Sequence, residues 1–296
     1  MNRGDDVTET PPAGELEQYI VDWKPAPVTA TDIIAVGRVQ EFGATLDLAQ
    51  SFADGDALPP LWHWAFFLDW PPTAGLGADG HPRDGHFLPP IPNRRRMFAG
   101  GRLTVTAPLT IGRTVTRTSE VVDTTVKRGR SGALLFVTVR NTYRQDDELR
   151  LTEEQDLVYR SDDGSSTAFV RADAQLGAST APWTIEPVLT PPLLFRFSAL
   201  TGNAHRIHYD EAYTTGIEGY PDLVVHGPLL AVYMAELVRG DAADQSLREF
   251  QFRLQRPVFI GDAIRVEGSS TGTSTIDLSV TSGGGTVHAA ATAVLS

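Results

Sequence analysis

The sequence predicts an α+β fold made of two copies of one unit, each an antiparallel sheet wrapped around a central helix. Three observations carry that prediction. The stretch RLTVTAPLTIGRTVTRTSEV from Arg102 resembles FQFRLQRPVFIGDAIRVEG from Phe250. It places Pro108 over Pro257, Ile111 over Ile260 and Gly112 over Gly261 at an offset of 149, about half of the 296-residue chain. Each repeat is preceded by a helix candidate and followed by alternating segments, so the order of elements repeats as well. VHGPLLAVYMAELVRG is apolar nearly all round, as a helix enclosed on every side must be.

In chain order, residues 1–16 read as a disordered tail and 17–160 as the first unit. LWHWAFFLDW (61–70) is its short aromatic helix candidate, and strands follow near 101–107, 112–122, 132–143 and 152–160. SDDGSSTA (161–168) has the Ser, Asp and Gly content of a linker. The second unit, 169–296, opens with LLFRFSALTGNAHRIHYDEAY, read as strand and loop. A helix over 228–238 comes next, with Pro228 in its first turn and Gly240 as its stop. Strands near 248–257, 262–269, 274–281 and 286–295 complete it. Two such sheets lying side by side would protect each other's edges.

Composition excludes several classes of function. With no cysteine there is no disulfide, thiolate zinc site, iron–sulfur cluster or cysteine nucleophile. The net charge of −12 opposes phosphate backbones, so nucleic acid is not an expected partner. No stretch approaches the length of a membrane span, and MNRGDDVTETPPAG lacks the basic and apolar regions of a signal peptide. The expectation is a cytoplasmic protein without a membrane partner.

The second half then carries a resemblance. FSALTGNAHRIHYDEAY followed by GYPDLVVHGPLLAVYMAEL resembles the motif of MaoC-like (R)-specific enoyl-CoA hydratases, and FIGDAIRVEG resembles the strand that follows it. In the first half LPPLWHWAFFLDW, DGHPRDGHFLPPIPNRRRMFAGG, KRGRSGALLFVTVRNTY and EEQDLVYR resemble mesaconyl-CoA and itaconyl-CoA hydratases and the mitochondrial 3-hydroxyacyl-thioester dehydratases. The resemblance runs from about residue 17 to the end. It implies a double hotdog whose second half is catalytic and whose first half shapes the acyl pocket, a hydro-lyase acting on acyl-CoA, and no cofactor.

The resemblance also implies roles. His208 would exchange protons with the water that adds to an enoyl thioester, work suited to a side chain that titrates near neutrality. Where the family carries an Asp, this chain has Asn203, and a carboxamide cannot accept a proton as a carboxylate does. Asn203 can hold the water while His208 alone does the acid/base work, which is the favoured reading. Alternatively Asp210 supplies the carboxylate, or the site is slow or inactive. His205 is assigned no part in the chemistry. His226 and Gly227 open the buried helix. A thioester carbonyl on the Gly227 N–H would be polarised by a first-turn amide that has no intrahelical partner.

Arg94, Arg95 and Arg96, with Lys127, Arg128 and Arg130, are the dense basic clusters of an acidic chain. Together with Arg206 they are candidates for a CoA phosphate or a substrate carboxylate. His226 and Trp64 are further candidates for substrate contact. GLGADG (75–80) lacks the strand and helix that a dinucleotide loop requires, and His63, His81 and His86 have no zinc spacing, so no metal is expected. The leading expectation is hydration of mesaconyl-CoA or itaconyl-CoA to citramalyl-CoA by a monomer or homodimer. The alternatives are a dehydratase of straight-chain 3-hydroxyacyl thioesters, a hotdog thioesterase and a non-catalytic acyl-binding subunit.

Overall fold

A computed structural model describes residues 16–92, 94–129, 132–161, 169, 171 and 175–296. The tail and linker assigned from sequence lie outside these residues, apart from Leu16 and Ser161. The elements are α1 (Leu16–Ile20), β1 (Val28–Ile33), α2 (Val36–Thr45), a 3-10 turn (Trp62–Ala65), β2 (Arg94–Val105), β3 (Thr114–Gly129), β4 (Gly132–Gln145) and β5 (Glu148–Ser161). The second half holds β6 (Trp183–Ile185), α3 (Pro191–Thr201), a 3-10 turn (Arg206–His208), α4 (Glu211–Gly216), α5 (Gly227–Asp241), β7 (Leu247–Leu254), β8 (Ile264–Ser270), β9 (Thr275–Ser282) and β10 (Thr286–Leu295).

The predicted α+β architecture is met, with its two sheets fused. Among the described residues all ten strands form one antiparallel sheet in the order β1-β3-β4-β5-β2-β7-β10-β9-β8-β6. The seam is β2 against β7, running from Gly100↔Arg253 to Thr104↔Glu249. A side chain could not fit there: a Cβ on Gly100 would lie 2.3 Å from the Phe252 carbonyl oxygen, and one on Gly101 2.7 Å from that of Glu154.

Helix α5 is the axis of the second half, with every residue from Leu229 to Val238 buried. Each large apolar side chain enclosed there contributes about 1.5–3 kcal/mol. The first half has no equal. The helix expected over 61–70 is only the 3-10 turn at 62–65, because Leu61 before it and Phe67 after it both adopt positive φ (69° and 56°). The volume is filled instead by α2, whose Phe42 stacks on Trp62 at 4.8 Å. Trp62 in turn donates through Nε1 to Glu236 of α5 at 2.9 Å, a buried bond between the halves.

The strand read at the start of the second half is the helix α3. Thr190 caps it by accepting from the Leu193 N–H, Pro191 and Pro192 occupy its first turn, and Gly202 closes it at φ 62°. Among the described residues no helix is long and apolar enough to cross a membrane.

Candidate active site

Helix α3 delivers the site residues in quick succession. Its Gly202 cap turns the chain so that Asn203 Oδ1 accepts from the His205 N–H at 3.0 Å. The 3-10 turn then buries His208, 7% exposed, with Nδ1 2.7 Å from the Val224 carbonyl oxygen. A carbonyl can only accept, so Nδ1 carries the proton and Nε2 keeps its lone pair. Burial brings the His208 pKa down to about 4, the Val224 bond opposing and His81 adding to the shift.

His226, fully buried before the first turn of α5, stacks on His208 with ring centroids 3.6 Å apart. Its Nε2 meets Ser198 Oγ at 2.8 Å and its Nδ1 has no partner. Burial, then the neighbouring His208, hold its pKa well below the usual imidazole range. His205 lies beyond, its ring 4.0 Å from His81 and 5.6 Å from His208, and burial followed by His81 depresses it to about 2. At neutral pH this cluster of imidazoles is neutral. Asp79, His81 and His205 bring ligand-type atoms within 4.8 Å of one another, a grouping that the sequence spacing did not suggest. His81 Nδ1 already bonds Asp79 at 2.9 Å.

Gly227 begins α5, and its N–H has no hydrogen-bond partner among the described residues. Its missing side chain matters for packing too, since a Cβ there would lie 2.3 Å from Leu254 Cδ1.

A cavity of ≈ 610 Å³ spans both halves. Ser198, Asn203 and Pro228 line it from the second half, and Trp64, Phe67 and Tyr143 from the first. His208 and Gly227 do not line it, although Asn203 and Pro228, from the same loop and the same helix start, do.

The predicted binding residues divide. Trp64 and Arg96 line the cavity. Arg94 instead donates to the Pro89 and Arg83 carbonyls, Arg95 pairs with Glu218 at 3.0 Å, and Arg206 pairs with Asp210 at 2.7 Å above the Tyr213 ring. These three hold loops, although Arg94 and Arg95 also border a neighbouring cavity that shares Arg96 and His81 with the first. Asp210 caps α4 through the Tyr213 N–H, so its carboxylate is engaged away from His208. Lys127 lies over Phe136 and Arg128 pairs with Glu17, while Arg130 lies outside the described residues.

Sequence reasoning missed Ser198, Glu153 and Arg117. Glu153 is buried and accepts from Trp64 Nε1 at 2.5 Å, Gln155 Nε2 at 2.9 Å, Tyr143 Oη at 3.0 Å and Asn141 Nδ2 at 3.3 Å. Burial alone would raise its pKa; His63, 3.3 Å away, and these donors bring it to about 2. Arg117 lines the cavity between two buried positions of β3, Val115 and Ser119. An arginine on the buried phase of an alternating strand was the available signal.

Residues 61–260 match the model of the hydroxyacyl-thioester dehydratase type 2 family. The chain is 45% identical over 229 residues to a mesaconyl-C(4)-CoA hydratase of Chloroflexus aurantiacus, covering 77% of this chain and 81% of that one. It is 28% identical to the mitochondrial hydroxyacyl-thioester dehydratase type 2 of Schizosaccharomyces pombe, over 85% and 93% of the two chains. The structure of a MaoC-like dehydratase from Phytophthora capsici superposes with a TM-score of 0.67 at 16% identity, over 94% of this chain and 98% of that one. That likeness shows the fold, the double hotdog.

Proposed function

Since the chain belongs to the hydroxyacyl-thioester dehydratase type 2 family and is a hydro-lyase, we propose that it adds water reversibly to a C5 dicarboxylic enoyl-CoA, mesaconyl-CoA or itaconyl-CoA, giving citramalyl-CoA. The observation that carries this reading is the His208 tautomer. With Nδ1–H fixed on the Val224 carbonyl, Nε2 is a neutral base on a ring that stacks on His226, the residue just before the first turn of α5.

In this mechanism water is held by the Asn203 amide. One Oδ1 lone pair is occupied by the His205 N–H, which turns the carboxamide and leaves its NH₂ without a partner among the described residues. In a mesaconyl thioester joined through C4, whose double bond is conjugated with the thioester, His208 Nε2 takes a proton as the water oxygen attacks the carbon β to the thioester. Negative charge moves to the thioester oxygen, where the Gly227 N–H and the positive end of α5 stabilise it. The imidazolium then returns its proton to the α carbon, so that the water has been added whole and His208 is neutral again. Proton transfer from a positioned side chain contributes about 10²–10⁴-fold.

The halves divide the labour in this reading: 169–296 supplies the reacting groups and 17–160 the acyl wall. The 45% identity to a mesaconyl-C(4)-CoA hydratase supports the dicarboxylic substrate. A second reading, dehydration of straight-chain 3-hydroxyacyl thioesters on CoA or acyl carrier protein, draws on the aromatic wall of Phe66, Phe67 and Trp64 and on the yeast relative. A cytoplasmic location and a catalytic unit of one chain, alone or as a homodimer, belong to the same proposal.

The test is loss of the conjugated thioester's ultraviolet absorbance with mesaconyl- and crotonyl-CoA, and chromatographic detection of citramalyl-CoA from itaconyl-CoA, for the wild type and His208→Ala. The expected result is turnover of a C5 substrate that falls by about 10²–10⁴-fold in the variant while the fold persists. Turnover of crotonyl-CoA alone would favour the straight-chain reading. An unaffected His208→Ala would remove its assigned role.

A further inference from the structure

We propose that Arg117 receives the second carboxylate of the substrate, which makes the first-half end of the cavity a carboxylate subsite. The inference rests on the dicarboxylic reading above and goes beyond it by naming the residue that selects the acyl group.

Burying a guanidinium is costly unless a partner meets its charge. Arg117 occupies the inward phase of β3 between buried Val115 and Ser119. Among the described residues no carboxylate forms an ion pair with it, and its Nε is buried without a hydrogen bond. The guanidinium lies over the Phe67 ring, 4.9 Å from its centre, a contact that supports the cation from one face. Tyr143, its register partner on β4, has its hydroxyl within hydrogen-bonding reach of the guanidinium.

Glu153 does not fulfil the partner's role. Both of its oxygens are occupied, Oε1 by Trp64 and Gln155, Oε2 by Tyr143 and Asn141, with His63 beside it. Tyr143 donates its hydroxyl proton to Glu153 and so stands between the acid and Arg117. What remains is a cation without an ion pair among the described residues and with its buried Nε unbonded, set against Phe67 and Tyr143, surroundings in which a planar guanidinium can take a carboxylate in two-point fashion. Arg96 lines the same cavity but is exposed, where water screens its charge.

The chemistry gives this placement a consequence. In a mesaconyl thioester joined through C4, the free carboxylate is carried by the carbon that water attacks. Holding that group fixes which face of the carbon is turned towards the water on Asn203, whereas crotonyl-CoA, with a hydrogen in its place, offers Arg117 nothing to hold.

The test separates recognition from turnover. Calorimetric titration with succinyl-CoA and butyryl-CoA, inert saturated thioesters with and without the carboxylate, is run on the wild type, Arg117→Met, Arg117→Lys and Arg96→Met, with thermal melts to verify folding. The wild type should prefer succinyl-CoA by about 10- to 10²-fold. Arg117→Met should abolish that preference and leave butyryl-CoA binding unchanged, Arg117→Lys should retain part of it, and Arg96→Met should keep it. Equal affinity of the wild type for both ligands, parallel loss for both in Arg117→Met, or loss of the preference in Arg96→Met instead would overturn the inference. Failure of the dicarboxylic reading itself is seen separately, as wild-type turnover of crotonyl-CoA without turnover of either C5 thioester.

Discussion

His208 and His226 lie face to face, their ring centroids 3.6 Å apart and their planes 20° from parallel, in an interior that leaves them 7% and 0% exposed. Stacked this closely and this dry, they cannot both be charged, and the fold is built around their neutral forms.

The first prediction concerns pH. The folded-state pKa of His208, about 4, lies below the ordinary 6.5, so the unfolded chain binds this proton more tightly. Its contribution to stability is complete above about 6.5 and is lost as pH falls from there to about 4. His205 adds to the loss over a window that reaches down to about 2. Melting temperatures across this range should drop on the acid side, and His208→Gln should flatten part of the slope. The acid limb of kcat/KM should fall near pH 4, where the base becomes protonated.

Asn203→Asp places a carboxylate five residues before His208 on the same loop, and a negative charge near an imidazole favours its charged form. Activity should survive, with the acid limb moved to higher pH. Complete loss across the pH range would mean that the carboxamide's N–H donors are indispensable to the bound water or to the developing charge.

Gly227→Ala drives a methyl group to 2.3 Å from Leu254 Cδ1. Overpacking of this kind costs about 1–3 kcal/mol, read from denaturant unfolding. Trimming the obstacle with Leu254→Ala in the same chain should relieve the clash. If the double variant is no better packed than the sum of the single changes, the close approach does not explain the glycine.

Trp62→Phe removes the 2.9 Å bond to Glu236 and strands one oxygen of a buried carboxylate. The cost should be about 1–3 kcal/mol. The low end is expected, because Arg239 still holds the other oxygen at 2.6 Å. Since the bond joins the two halves, a single cooperative transition should persist; two separate transitions would mean that this contact had coupled them.

Much of the fold was readable in the residues. The second-half strands near 262–269, 274–281 and 286–295 were placed within about two residues, because a sheet with one buried face must alternate. Helix α5 was found from its unbroken apolar surface. The failures have physical causes. Residues 61–70 look helical by composition, but the positive φ of Leu61 and Phe67 is imposed by packing. The apolar run from Leu193 reads as a strand by composition, although the Thr190 cap, the two prolines and Gly202 spell a helix.

The candidate site divides along the same line. The sequence by itself nominated a reacting set, His208, Asn203 and Gly227, because the family resemblance places them in one motif and Gly227 opens a helix whose free amides follow from helix geometry alone. Only the tertiary structure decided which tautomer His208 holds, that Asp210 is tied to Arg206, and which arginines remain uncommitted. Arg94, Arg95 and Arg206 are bound to loops, while Arg117 faces the cavity without an ion pair among the described residues. A charge's partners are set by strands and loops distant in sequence, and electrostatic energy depends on distance and burial, neither of which is written along the chain.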